Sequence, residues 1–439
     1  MRHERVIGLL DLGSSKIGCL IVAVGPSRER VPSRGALTHG DVTSAASDET
    51  AVRILGVGYI GSRGIKSGVV MDMSAAEACV RTCVAEAETV AGVTINEVHV
   101  AVSCGRLASQ SFAAHAEVGS AGVQAADISR ALAGGQAYAR RDGRFLVQMN
   151  TIGFRLDGQP CGADPRGLVA QRLTADLTAV TADAAPVQNV FMLMQRCHLS
   201  IEQIVPAPLA SGLAASRRDE RQLGVTVVDI GSGVTTISMF ADGELVHVDA
   251  IAVGGDRLTY EIAKELQTHL AQAERIKALY GTVVQAQSDS REIFEYERVD
   301  DRSDAQDGVS GRASKSDLRL IVTPYVRWLF EQVHDRIQRC PVRHLASDRV
   351  VLTGGSAQLI GIDGLSADVL ERPVRLGMPE ELNGISAEFC GPAFSCLFGL
   401  CEYVARQTPL GVGVSQAFDV EASQTGYLER VGKWLVGTG

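Results

Sequence analysis

Two segments about half the chain apart are near copies of each other: Leu10-Asp11-Leu12-Gly13-Ser14-Ser15-Lys16-Ile17 and Val228-Asp229-Ile230-Gly231-Ser232-Gly233-Val234-Thr235. In each, an apolar run ends in Asp, Gly and hydroxyl residues, and a second apolar run follows at once. The pattern predicts a tight β-hairpin in both places. Glycine lets the backbone approach a ligand closely, and the N–H groups of such a turn, with Ser or Thr hydroxyls, can hold phosphate oxygens. An Asp just before the turn can reach a divalent cation, directly or through water. One Asp-x-Gly-Ser alone is equally well an ordinary turn. Two copies in the same apolar frame predict a pair of opposed hairpins that grip one polyphosphate with its metal.

A third glycine site supports this. Val350 to Leu359 reads as a buried strand passing through Gly354-Gly355 into a helix that starts near Ser356, and a helix N-terminus reached through glycines can take an anion or a nucleotide. Between the second and third sites lie Gly254-Gly255-Asp256 and, on a predicted helix, Glu274 and Lys277. Three residues apart, these two share a helix face, as a plain surface ion pair would.

These elements, in this order, resemble the two phosphate motifs and the adenosine motif of the actin, sugar kinase and heat-shock chaperone superfamily. The Gly-Gly helix and the Ala273-Glu274-Arg275-Ile276-Lys277 helix resemble its bacterial branch. The resemblance implies Mg²⁺ positioned by Asp11 and Asp229. It implies phosphates held by Gly13, Ser14, Ser15, Lys16, Gly231, Ser232 and Gly233, and ATP's nucleoside enclosed by Gly255, Glu274, Lys277, Gly354, Gly355 and Ser356.

With 439 residues, 46% of them hydrophobic and 21% charged, the chain has material for two or more globular domains. A net charge of −9 argues against general nucleic-acid binding, and no apolar run is long enough to span a membrane. The first strand begins almost at the N-terminus, which leaves no room for a signal peptide and predicts a cytosolic chain. Ten cysteines are scattered, several inside apolar runs (Cys19, Cys197, Cys396), and read as reduced core thiols; Cys79 and Cys83 share a helix face without a partner His or Cys.

Residues 27–50, rich in Ser, Arg, Gly, Thr and Asp, have no apolar period and read as an excursion between strands. Ser74 to Glu77 reads as a capping box that opens a helix ending at Gly92. From 93 to 165 the pattern becomes strand, strand, helix, strand, a small inserted α+β unit; strand, helix, strand and a short helix follow up to the second hairpin. A long helix carrying Leu320 to Ile337 has Pro324 at its first turn or as a kink, and Gly391 to Tyr403 reads as an apolar helix packed between domains.

The last segment is amphipathic. Tyr427, Leu428, Val431, Trp434 and Leu435 fall on one helical face, with Arg430 and Lys433 beside it, after a linker at 405–425. A Trp on such a face suits a helix lying in a membrane interface, and a terminal helix docked on its own domain would read the same way.

Nucleotide cleft, inserted unit and tethered tail together resemble, over nearly the whole chain, the FtsA family of bacterial cell-division proteins. The resemblance implies an α/β, actin-like two-domain ATPase fold of duplicated RNase H-like domains. Its expected divisions are 1–92 and 166–212 (first domain), 93–165 (inserted interaction subdomain) and 213–404 (second domain, with a smaller subdomain at about 256–340), then linker 405–425 and membrane helix 426–439. It implies a filament-forming protein on the cytoplasmic face of the inner membrane at the septum that binds ATP with slow turnover. Its implied partners are the tubulin-like FtsZ, other copies of itself, later division proteins and the lipid surface. The tail is less basic than is usual in that family, and residues 27–50 are longer. No water-activating residue stands out; the short helix around Ser211 is where one would sit. A pilus-assembly actin homologue or a sugar kinase of the superfamily are the alternatives, although the latter leaves the tail without a role.

Overall fold

The computed structural model describes residues 4–26, 50–140, 143–162, 164–299, 310–380 and 389–406. The excursion at 27–49, nearly all of the linker, and the tail with Tyr427, Leu428, Arg430, Val431, Lys433, Trp434 and Leu435 lie outside the described residues.

The chain opens with β1 (Arg5–Leu12), β2 (Lys16–Pro26) and β3 (Thr50–Gly61), then a tiny hairpin of β4 (Ile65–Lys66) and β5 (Val69–Val70). Helix α1 (Met73–Ala91) and β6 (Glu97–Val102) follow. Next come β7 (Ala108–Glu117), α2 (Ala125–Ala139), β8 (Arg144–Leu156), β9 (Gln159–Cys161) and β10 (Arg172–Asp183). Helix α3 (Ala184–Arg196), β11 (Ser200–Pro206), α4 (Ala207–Ala215) and α5 (Arg218–Leu223) complete the first half.

The second half begins with β12 (Val225–Ile230), β13 (Thr235–Ala241) and β14 (Glu244–Ile251), then α6 (Gly255–Leu266) and α7 (Leu270–Tyr280). A small hairpin of β15 (Ile293–Glu297) and β16 (Ser310–Ser314) leads into the long α8 (Lys315–Arg339). Strand β17 (Val350–Thr353), α9 (Ile362–Leu370), β18 (Val374–Leu376) and α10 (Ser395–Arg406) close the described chain.

The sequence duplication is a duplication of topology. One sheet runs β11-β6-β1-β2-β3, and the other, read from its far edge, β18-β17-β12-β13-β14. In each, a hairpin is joined on one side by an antiparallel third strand and on the other by parallel crossover strands. Even the register agrees. Asp11 lies beside Gly18 and Ala101, Asp229 beside Thr236 and Thr353. The near-continuous burial of β1, β12 and β17 explains their unbroken apolar runs, since a strand covered on both faces has no reason to alternate.

The inserted unit is a sheet in the order β7-β10-β8-β9 with α2 on one face, where Leu132, Ala131 and Leu177 form its own small core. Its edges differ from the expected 93–165. Residues 97–102 form β6, a buried strand between β1 and β11 in the first sheet, while β10, expected in the first domain, pairs with β7 and β8 along its whole length. Val98, Val100 and Val102 are buried together with the alternate residues between them, the mark of a central strand and not of an insert edge.

Local signals needed smaller corrections. Helix α1 is capped by Asp72 instead of Ser74, because the Asp72 carboxylate accepts from the N–H groups of Ser74 and Ala75 at 3.0 and 3.1 Å. It ends at Gly92 in the left-handed conformation, as expected. Cys79 and Cys83 are buried against backbone carbonyls, Gly61 O for the first and Ile17 and Gly58 O for the second. Pro324 sits inside α8, beyond the first turn. The apolar helix α10 begins at Ser395, after a single 3-10 turn, and extends to Arg406. It crosses the wholly buried α4 so closely that a Cβ on Gly399 would strike the Ala210 carbonyl.

Candidate functional site

The two hairpin turns are built alike. Each glycine that follows the Asp sits where a Cβ would press on the carbonyl that closes the turn, Lys16 O at 2.5 Å for Gly13 and Val234 O at 2.9 Å for Gly231. In the second turn Gly231 N–H donates to Val234 O at 3.0 Å. That turn is gripped from outside by the start of α6: Gly255 N–H donates to Gly231 O at 2.9 Å and Asp256 N–H to Ser232 O at 2.8 Å. Ser356 adds its hydroxyl, donated to Gly231 O at 3.3 Å, and the Ser232 hydroxyl donates to Asp256 at 2.5 Å.

Gly354 has a φ of 92°, which only glycine adopts easily, and a Cβ there would collide with the Asp229 carboxylate. The helix expected from Ser356 is one 3-10 turn, Gly355–Gln358, and α9 starts only at Ile362 after Gly361 turns left-handed. The third site is therefore a glycine turn and not a helix N-terminus.

All three sites open on one cavity of about 370 Å³. It is lined by every cleft residue named from the sequence: Asp11, Gly13, Ser14, Ser15, Lys16, Asp229, Gly231, Ser232, Gly233, Gly255, Glu274, Lys277, Gly354, Gly355 and Ser356. Burial dominates its electrostatics. The Asp229 carboxyl is pushed up to about 6 by burial, with the Ser211 hydroxyl pulling it back, and Asp11 rises for the same reason against the pull of Lys16. Burial brings the Lys16 ammonium down to about 8 although both carboxylates pull it up. Two carboxylates and an ammonium held together in a half-buried cleft carry a desolvation cost that a bound cation and phosphate would offset. Turn N–H groups and Lys16 suit phosphate oxygens, and Asp11 and Asp229 suit a hard divalent cation that keeps waters and phosphates as its other ligands.

At the other end, Glu274 and Lys277 form the ion pair that their spacing allowed, at 2.6 Å, but it is not a surface pair. Lys277 also donates to Thr259 Oγ1 at 2.8 Å and to Gly255 O at 3.2 Å, so its three N–H donors are all used within the protein. It braces α7 against α6. Both line the cavity, and the half-exposed Glu274 carboxylate, which also accepts from Thr259 at 2.5 Å, is the more accessible of the two.

Several residues in or just behind the cavity wall had no signal in the sequence. Tyr325 on α8 donates its hydroxyl to Gly254 O at 2.6 Å, behind the second turn. Cys396 on α10 packs its thiol against Asp11, and Ser103 lines the wall after β6. Phe394 lies with its ring under Lys16, the ammonium 3.2 Å from the ring centre. Each reaches the site from an element distant in sequence, and no residue spacing announces such a contact.

Comparison with known proteins agrees with this architecture. The family profile described as "Cell division protein FtsA" matches residues 226–399, and the one described as "SHS2 domain inserted in FTSA" matches residues 104–181, the span of the inserted sheet. The cell division protein FtsA of Agrobacterium fabrum is 34% identical over 99% of this chain and 95% of its own length. Among solved structures, a PilM-PilN type IV pilus biogenesis complex superposes with a TM-score of 0.60 at 15% identity, covering 92% of this chain and 99% of that one. MreB 5 of Spiroplasma citri bound to AMPPNP superposes with a TM-score of 0.52 at 13% identity, covering 98% and 99%. At such identities the structural likenesses establish the actin-like fold alone, whereas the sequence match carries across the whole length: the chain belongs to the FtsA family of cell-division proteins.

Proposed function

We propose that this member of the family binds one Mg·ATP in the cleft between the hairpin turns, polymerises, and tethers the FtsZ ring to the cytoplasmic face of the inner membrane at the septum. The observation that carries the nucleotide part is the pair of register-matched Asp-x-Gly turns facing one cavity. Asp11 and Asp229 would hold the cation, which neutralises phosphate charge when bound. The two turns and Lys16 would hold the phosphates, and Glu274, Gly354, Gly355 and Ser356 would surround the nucleoside. The solved MreB relative is described as bound to AMPPNP, a ligand of the same class.

Turnover is slow on this reading. Helix α4, where a water-activating side chain was expected, offers only Ala207 to the cavity, and its Ser211 is fully buried beside Asp229. ATP then acts chiefly as a switch of assembly.

The inserted unit, with its own core and no share of the cavity lining, is an interaction surface for other copies or for later division proteins. Attachment is assigned to the amphipathic segment at 426–439 on its apolar face with Trp434; among the described residues no helix is long and apolar enough to cross a membrane.

The test combines calorimetry of Mg·ATP binding with flotation on anionic liposomes, with and without residues 426–439, in the presence of FtsZ. Full-length protein carries FtsZ to the floating fraction and the truncated protein does not. Floating of the truncated protein would remove the tether reading, and no heat of binding would remove the nucleotide reading.

A further inference from the structure

The Lys16 ammonium is half-buried in the cleft wall, yet among the described residues it makes no ion pair or hydrogen bond; its close partner is the face of Phe394, 3.2 Å from the ring centre. An ammonium beside two carboxylates would ordinarily settle on one of them. Here a ring occupies the place of the counter-ion. The negative face of an aromatic ring attracts a cation, and more strongly when water is excluded.

That ring is firmly held. Its neighbours Tyr59 on β3 and Phe389 meet it nearly edge-on, with centroids 6.1 and 5.4 Å away, and they meet each other at 5.2 Å. The 3-10 turn that carries Phe394 is tied to the third glycine site: Gly354 N–H donates to Pro392 O at 3.2 Å, and the Thr353 and Ser395 hydroxyls bond at 2.6 Å. Strand β3 belongs to the first half of the fold and Gly354 to the second, so the ring is fixed relative to both walls of the cleft.

We propose that Phe394 is a positioning residue for Lys16. The ring seats the ammonium, keeps it off Asp11 and Asp229, and leaves its remaining N–H groups directed toward an incoming phosphate. A free lysine would lose the rotamer freedom of its long side chain on binding, and the seat removes part of that cost beforehand. The inference rests on the reading of the cleft as a nucleoside polyphosphate site, and it adds a residue that no phosphate-type motif contains.

The experiment measures Mg·ATP and adenosine affinities for wild type, Phe394→Leu, Phe394→Tyr, Lys16→Met and the double variant Lys16→Met/Phe394→Leu. Phe394→Leu is expected to weaken ATP about 5- to 30-fold, the range of a cation–π contact between half-exposed and dry, and to leave adenosine within about twofold. Phe394→Tyr restores ATP binding. In the Lys16→Met background the Leu change has no further effect. Phe394→pentafluorophenylalanine, which keeps the ring's shape and reverses its quadrupole, should match the Leu variant and guards against a Leu variant that fails to fold. Equal losses for ATP and adenosine, the same loss with Lys16 removed, or wild-type ATP binding by the pentafluorophenylalanine protein would each overturn the assignment. Wild-type protein that binds no ATP would overturn the cleft reading itself, and the seat with it.

Discussion

Gly233 and Ser14 face each other from the two hairpin turns at so short a range that a Cβ on Gly233 would stand 2.8 Å from the Ser14 hydroxyl oxygen. The same Cβ would lie 2.8 Å from the backbone of Ser67, whose neighbour Gly68 donates its N–H to Ser14 Oγ at 3.0 Å. The turns thus touch at their tips, with the β4–β5 hairpin wedged beside them. Gly233→Ala should spread this contact and weaken Mg·ATP about tenfold, at an overpacking cost of about 1–3 kcal/mol. Calorimetry that finds wild-type affinity would mean that the turns do not close on the phosphates.

Asp229→Ala should reduce Mg·ATP binding far more, because the cation would lose one of its two carboxylates. The same change removes a carboxylate that burial disfavours, so the nucleotide-free protein should melt at the wild-type temperature or above it. A variant that loses ATP binding only because it unfolds would show a lowered melting temperature instead.

Gly399 allows α10 to lie on α4, since any Cβ there meets Ala210. Gly399→Val must push the two buried helices apart. A loss of about 2–4 kcal/mol is expected from chemical denaturation, in the range of severe overpacking. A stable Gly399→Val protein would show that the interface can slide.

Glu202 ties three adjacent strands together. It contacts His99 Nε2 at 3.1 Å and accepts from Arg5 at 2.7 Å, and Arg5 also bonds Glu97 at 2.6 Å. His99 first, then Arg5, hold its carboxyl down at about 2 from an ordinary 4.5. A carboxyl lowered on folding contributes stability that is full above its unfolded value and is lost as pH falls toward its folded one, here between about 4.5 and about 2. Allowing for solvent screening at the half-exposed Arg5, Glu202→Gln should cost about 1–2 kcal/mol near neutral pH. The gap to wild type should close as pH drops through that window. Denaturation midpoints that differ equally at about pH 6 and about pH 3 would contradict it.

For the tail, Trp434→Glu should release the protein from liposomes far more than Lys433→Gln. Burying a large apolar side chain contributes roughly 1.5–3 kcal/mol, against about 1 kcal/mol for one basic residue near anionic lipid. Filament formation should offset part of either loss by avidity. Flotation of Trp434→Glu at the wild-type level would place that face on protein instead of lipid.

Most residues of the cleft that are legible in the sequence belong to a local turn whose chemistry is complete within a few residues, whereas Glu274 and Lys277 on α7 come only with the family resemblance. Asp11 to Lys16 and Asp229 to Gly233 could be paired by their repeated pattern alone, and Gly354-Gly355 by the strand before it. The same locality explains the errors. A short apolar run such as Val98 to Val102 reads as a strand, but which sheet takes it depends on β1 and β11, remote in sequence. A helix from Ser356 fits the apolar spacing, but the chain makes one 3-10 turn there and breaks left-handed at Gly361, where a Cβ would strike Val284.

The sequence by itself determined the duplicated hairpins and the three glycine sites, since periodicity and turn chemistry act over a few residues and need no partner, and its full-length similarity to relatives determined the family. Only the tertiary structure decided that Phe394 lies beneath Lys16, that Tyr325 holds Gly254, that Cys396 packs on Asp11 and that Lys277 spends its donors on the protein. Those contacts join segments up to hundreds of residues apart. They arise from the packing of two sheets and the helices between them, and a side chain's direction in such packing is fixed by all its neighbours at once, not by its position in the chain.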